Sequence, residues 1–86
     1  MTEELRAEMG ANVWKVIVAE GDYVAKGDTL VILESMKMEI PIFTESEGKI
    51  INLAVTEGQI IEEGDLIAVI ERLAPRVSSD SRQELR

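Results

Sequence analysis

Histidine and cysteine are both absent from this 86-residue chain. Together these absences remove disulfides, thiol and imidazole nucleophiles, the imidazole general base and the usual zinc ligands. Most catalytic readings end there. Aromatic residues amount to 3%, namely Trp14, Tyr23 and Phe43, too few for the stacking platforms of single-stranded nucleic-acid sites. Positive charge is scarce as well: nine Lys and Arg stand against seventeen Asp and Glu, a formal charge of −8. That is the wrong sign for a phosphate backbone or an anionic membrane surface. No apolar run approaches the roughly 18 residues of a membrane span. The opening Met1-Thr2-Glu3-Glu4-Leu5 has neither the basic nor the apolar region of a signal peptide. The expectation is a soluble, cytoplasmic protein that contacts neither nucleic acid nor membrane.

Hydrophobic residues, at 45%, suffice for one aliphatic core in a domain of this size. The chain also repeats itself. Gly21 and Gly58 (58 − 21 = 37), Gly27 and Gly64, Asp28 and Asp65, Glu20 and Glu57, Val18 and Val55, and Glu34 and Glu71 all match at one offset. Conservative pairs keep the register, among them Val13 with Ile50, Val24 with Ile61, Leu30 with Ile67 and Leu33 with Ile70. Two copies of one unit result, at about residues 11–35 and 48–72. Each copy consists of short β-branched runs separated by Glu-Gly and Gly-Asp punctuation, a pattern of strands and turns. Thr29 to Ile40 also holds good helix formers. Pro41 closes that run, and its repeat partner is Ile/Val-rich, so strand is preferred. The simplest packing sets the two copies face to face about a pseudo-two-fold axis. Residues 6–73 are read as the folded domain, 1–5 as a flexible N-terminus and the polar, aperiodic 74–86 as a disordered tail. In copy two the position of Met36-Lys37 falls on Leu73-Ala74, so the junction hairpin is expected at the end of the domain opposite the termini.

The junction reads Glu34-Ser35-Met36-Lys37-Met38-Glu39-Ile40-Pro41-Ile42. With Met36 and Lys37 at the centre of a hairpin, Ser35 faces Met38, Glu34 faces Glu39, Leu33 faces Ile40 and Val31 faces Ile42. Glu34 against Glu39 is a like-charge pair costing roughly 0.2–1 kcal/mol, and Met-Lys is not the Asn-Gly or Asp-Gly of a tight turn. Local rules broken together point to function. The residues alone leave open a plainer reading, with methionine as adaptable packing and lysine as a solvated turn residue.

Glu34-Ser35-Met36-Lys37-Met38-Glu39 resembles the Glu-Ala-Met-Lys-Met-Glu signature of the biotinyl domains of biotin-dependent carboxylases. The resemblance extends over Met9 to Glu71, turns included, and is greatest to the small stand-alone biotin/lipoyl attachment proteins. It implies an all-β fold: a flattened barrel or sandwich of two four-stranded antiparallel sheets with a pseudo-two-fold internal repeat. It makes Lys37 the acceptor of covalent biotin, and Glu34, Met36, Met38 and Glu39 the residues that a biotin protein ligase reads. By the same resemblance the chain is a carrier without turnover. It takes carboxyl from a biotin carboxylase to a carboxyltransferase, in the manner of an acyl-CoA carboxylase such as acetyl-CoA carboxylase. The alternative is a lipoyl carrier of a 2-oxoacid dehydrogenase-like system, but lipoyl domains usually carry Asp before the lysine and Ala after it. Departures from the biotinyl pattern are Ser35 for alanine, Ala11 where glycine is common, Thr44-Glu45 for Ala-Pro, and Pro41, which restricts the outgoing strand to an edge. A Ser35/Lys37 catalytic pair is disfavoured by exposure, and a calcium loop by the missing alternation of Asp ligands. No catalytic residue and no metal ligand is assigned.

Overall fold

The computed structural model describes residues 1–73; the stretch 74–86, expected from its sequence to be a disordered tail, lies outside the described residues. Eight strands succeed one another: β1 (Thr2–Arg6), β2 (Ala11–Val16), β3 (Tyr23–Val24), β4 (Thr29–Ser35), β5 (Met38–Phe43), β6 (Gly48–Leu53), β7 (Ile60–Ile61) and β8 (Leu66–Arg72). They form two four-stranded antiparallel sheets, ordered β1-β8-β6-β3 and β5-β4-β2-β7. Alternation along β2, with Ala11 and Val13 buried and Asn12 and Trp14 exposed, is the period-2 pattern of a strand with one face on a core.

Shifting β2, β3 and β4 by 37 residues lands on β6, β7 and β8, and shifting Thr2–Arg6 lands on the last five residues of β5. The repeat therefore includes β1, and two sequence expectations need correction. Residues 1–5 are not a flexible end. Thr2 to Leu5 pair with Glu71 to Ala68 of β8, and Arg72 N–H donates to the Met1 carbonyl at 2.9 Å. In this strand only Leu5 is apolar, so its alternation was too faint to read. Nor do the two copies stack as separate layers. Each sheet takes two strands from each copy, β1 and β3 with β6 and β8, β2 and β4 with β5 and β7. This exchange gives β8 the edge neighbour that β5 provides for β4.

The core lies between the sheets and is itself doubled. Val13 and Ile50, Leu30 and Ile67, Val31 and Ala68, Leu33 and Ile70, and Val24 and Ile61 are all buried, each large side chain contributing roughly 1.5–3 kcal/mol. At the turns, Asp22, Asp28 and Asp65 use a carboxylate oxygen, and Gln59 its amide oxygen, to accept the N–H of the residue three before. Between them sits glycine at φ 88° to 94°, a left-handed conformation that side-chain-bearing residues avoid. The acids before Gly21 and Gly58 bind across the copies: Glu20 accepts from Leu53 N–H at 2.9 Å and Glu57 from Val16 N–H at 3.0 Å. These two matched bonds explain why the Glu-Gly punctuation recurs.

One polar side chain interrupts the apolar symmetry. Thr44, the counterpart of Ala7, is fully buried. Its hydroxyl accepts from Ser46 N–H at 3.0 Å and shares its proton between the Ser46 carbonyl at 2.9 Å and Glu3 Oε1 at 3.0 Å. The group is thereby satisfied, and β1 is tied to the loop after β5. That loop lies at the end where Leu73 N–H meets the Glu47 carbonyl. Strand β5 thus carries the chain from the β4-β5 turn to the end holding the termini of the described residues, as the repeat arithmetic implied.

Candidate functional site

The β4-β5 hairpin has the register read from the sequence: Val31 opposite Ile42, Leu33 opposite Ile40, Glu34 opposite Glu39 and Ser35 opposite Met38. Val31 and Leu33 are buried, and Ile40 and Ile42 pack half-buried against the core. This apolar stem fixes which residues reach the tip, because a one-residue slip of β5 against β4 would turn Ile40 and Ile42 outward while Val31 and Leu33 stay in the core. Pro41, on β5 and facing Ile32 of β4, sits on an edge strand, where its missing N–H breaks no ladder.

At the tip Met36 and Lys37 have φ of 53° and 66°, the only non-glycine residues with positive φ among those described. Both central residues are left-handed, as a two-residue type I′ hairpin turn requires. For L-residues with side chains this costs roughly 1–2 kcal/mol each. The exposed side chains recover little of it: Met36 is 91% and Met38 64% exposed, and Lys37 is exposed as well. Strain that packing does not relieve locally, held by a well-packed stem, is characteristic of functional sites.

Lys37 differs from the other lysines in what surrounds it. Lys15 lies over the Trp14 ring at 5.5 Å and Lys49 over the Tyr23 ring at 5.9 Å, while Lys26 belongs to a tight turn. Among the described residues Lys37 has no ion pair and no side-chain hydrogen bond. Glu34 lies between Glu39 on one side and Asn12 on the other, and Asn12 in turn faces Ile60. An open cleft beside the tip is lined by Gly10, Asn12, Ile60 and Glu62 along with the hairpin. Sequence reading identified the hairpin residues but not Asn12 or Ile60, because β2 and β7 come from different copies and meet only through the strand exchange. What this arrangement offers chemically is a primary amine at the apex of a rigid stem, flanked by two thioethers.

Because Glu34 and Glu39 oppose each other directly, Glu39→Lys is expected to stabilise the free domain by up to about 1 kcal/mol. A thermal melt of the variant, higher by a few degrees, checks this. A melt that stays the same or falls would show that the two carboxylates do not repel at this distance.

Comparison with known proteins agrees with this geometry. Residues 4–70 match the family described as biotin-requiring enzyme. Biotinylated protein TB7.3 homolog of Mycobacterium leprae is 53% identical over 56 residues, covering 65% of this chain and 79% of the relative. The biotin/lipoyl attachment protein of Bacillus subtilis is 54% identical over 41 residues, covering 48% of this chain and 56% of the relative. Kluyveromyces lactis urea carboxylase superposes with a TM-score of 0.76 at 37% identity, covering 83% of this chain and 6% of that one. A lipoyl domain of the Azotobacter vinelandii 2-oxoglutarate dehydrogenase complex, at 19% identity and a TM-score of 0.72, covers 80% of this chain and 95% of its own and shares the fold. By its repeat, its paired sheets, its junction hairpin and this match over most of its length, the chain belongs to the biotin-requiring enzyme family, as a small biotinyl attachment domain.

Proposed function

We propose that Lys37 carries covalently attached biotin and that the chain is the carrier of a biotin-dependent carboxylase of the acyl-CoA type, acting in the cytoplasm. The observation that carries this reading is an exposed lysine, without an ion pair or side-chain hydrogen bond among the described residues, at a strained turn between two exposed methionines. It is supported by relatives named as biotinylated proteins, and by an acyl-coenzyme A carboxylase subunit of M. leprae, 47% identical over 53 residues and covering 9% of that subunit.

The described residues contain the parts such a carrier needs. A free carboxylate has no leaving group for an amine to displace, so a separate biotin protein ligase must supply the acyl group in activated form, as an adenylate. The amine of Lys37, its proton given up, attacks the acyl carbon of that adenylate; the bond from the acyl carbon to the AMP oxygen breaks, AMP leaves, and the amide takes the formal charge of the chain from −8 to −9 (−8 − 1 = −9). Met36, Met38, Glu34 and Glu39 are the surface that the ligase meets around the amine. Attached biotin supplies a ureido nitrogen that takes up and gives up a carboxyl group. The chain contributes position: the buried stem under Lys37 holds the arm at one end of the domain, where a biotin carboxylase and then a carboxyltransferase can receive it at raised local concentration.

Lipoate remains the second reading because the B. subtilis relative is named for both attachments; the paired methionines favour biotin. Incubating the full chain with biotin protein ligase, ATP and biotin is expected to add one biotinyl mass, mapping to the peptide that contains Lys37. An adduct on another residue, or lipoyl but no biotinyl transfer with the matching ligases, would reject the proposal.

A further inference from the structure

All the sulfur in this chain belongs to four methionines. Met1 Sδ accepts a hydrogen bond from Arg72 at 3.5 Å, and Met9 lines the groove between β1 and β5. Met38 does neither, Met36 lines only the open cleft beside the tip, and both are absent from the core cluster. At φ 53°, position 36 would be occupied more cheaply by glycine or asparagine. The backbone therefore does not explain methionine there; its side chain must. On the hairpin the other neighbours of Lys37 are Glu34, Ser35 and Glu39, so the apolar surface that the hairpin itself sets beside the amine comes from the two thioethers, with Ile60 across the cleft.

We propose that Met36 and Met38 form an oxidation site that gates acylation of Lys37. The gate rests on the reading of Lys37 as the acceptor. A hydroperoxide is the oxidant. The sulfur lone pair attacks the distal peroxide oxygen, a sulfur–oxygen bond forms and the oxygen–oxygen bond breaks. The proton of the transferred hydroxyl leaves with the departing oxygen as water or an alcohol. Sulfur loses two electrons and the peroxide gains two. The product is a polar, chiral sulfoxide where the ligase would bury an apolar thioether, and an unpaired polar group at a dry contact is unfavourable. Because neither side chain packs in the core, oxidation leaves the fold in place. A thiol-dependent sulfoxide reductase reverses the change, two thiols becoming a disulfide as the oxygen leaves as water.

The experiment treats the full chain with hydrogen peroxide, maps sulfoxide at each methionine by peptide mass, records a thermal melt, and measures the initial rate of biotin transfer before and after. The expected result is an unchanged melt, sulfoxide at 36 and 38, a rate lower by about tenfold or more, and recovery after treatment with methionine sulfoxide reductase. The Met36→Leu/Met38→Leu variant, compared only with itself, is expected to keep its own rate after peroxide, which excludes oxidation at Met1 or Met9 as the cause. If the oxidised chain is labelled as fast as the untreated one, the gate is overturned while the acceptor assignment stands. If the double variant slows equally on oxidation, the gate is also overturned. If the untreated chain takes no label, the acceptor assignment fails and the gate fails with it.

Discussion

Replacing Lys37 by arginine is expected to abolish biotin labelling and to leave the fold as it is. Arginine keeps the positive charge and the length of the stem, but its guanidinium stays protonated at any working pH and offers no nucleophilic amine. The side chain at 37 makes no ion pair or side-chain hydrogen bond among the described residues. The turn conformation, φ 66° at this position, is no harder for arginine than for lysine. The change in stability should stay within about 0.5 kcal/mol, so the melt moves by a few degrees at most. The three other lysines are not expected to substitute. Lys15 and Lys49 project from the ladders of β2 and β6, where neighbouring strands obstruct a ligase cleft, and Lys26 lies between alanine and glycine rather than methionines. Peptide mapping of the variant after exhaustive incubation decides the matter: biotin found on Lys15, Lys26 or Lys49 would remove Lys37 from its role.

The hairpin was legible because two independent patterns coincide on it. The stem residues Val31, Leu33, Ile40 and Ile42 alternate, and only one register puts all four inward. The glycines and acids of the turns were legible as a repeat because the same backbone problem, a left-handed residue between two hydrogen-bonded neighbours, is solved the same way in each copy. The strand exchange was not legible. Alternation tells which face of a strand is buried, but not whether its hydrogen-bonding neighbour belongs to its own copy. Strand β1 escaped for another reason: with Glu3 and Leu5 only half-buried and acids on either side, its sequence resembles a solvated end. The Thr44 hydroxyl network could not be foreseen either, since Glu3, Thr44 and Ser46 converge only after the exchange has occurred.

The largest effect on stability is expected from one methyl group, in Gly48→Ala. Gly48 does not need its conformational freedom, since its φ is not positive; what it needs is space. A Cβ built there overlaps the Glu71 carbonyl oxygen and lies 2.9 Å from both the Glu71 carbonyl carbon and Ile70 Cγ2. The repeat counterpart, Ala11, carries its Cβ within the core, so the restriction belongs to this end of the molecule. The difference arises in the chain beyond the paired strand. After Ser35, β4 turns away at once through Met36 and Lys37, whereas the chain after Glu71 stays extended across β6 and is pinned by Leu73 N–H to the Glu47 carbonyl and by Arg72 N–H to the Met1 carbonyl. The atoms in the way are mostly backbone, and relieving the clash means parting β8 from β6 or releasing β1. We expect a loss of about 2–4 kcal/mol, which for a domain of this size lowers the melting temperature by roughly 10–30 °C. Ala11→Gly, which removes one buried methyl and loosens the chain, should cost about 1–2 kcal/mol. Since Gly48 lies at the end away from Lys37, the Gly48→Ala molecules that remain folded at low temperature should still accept biotin. A melt within about 3 °C of the parent would mean that β8 shifts aside freely, and that the close approach of Glu71 to Gly48 does not hold this end of the sandwich together.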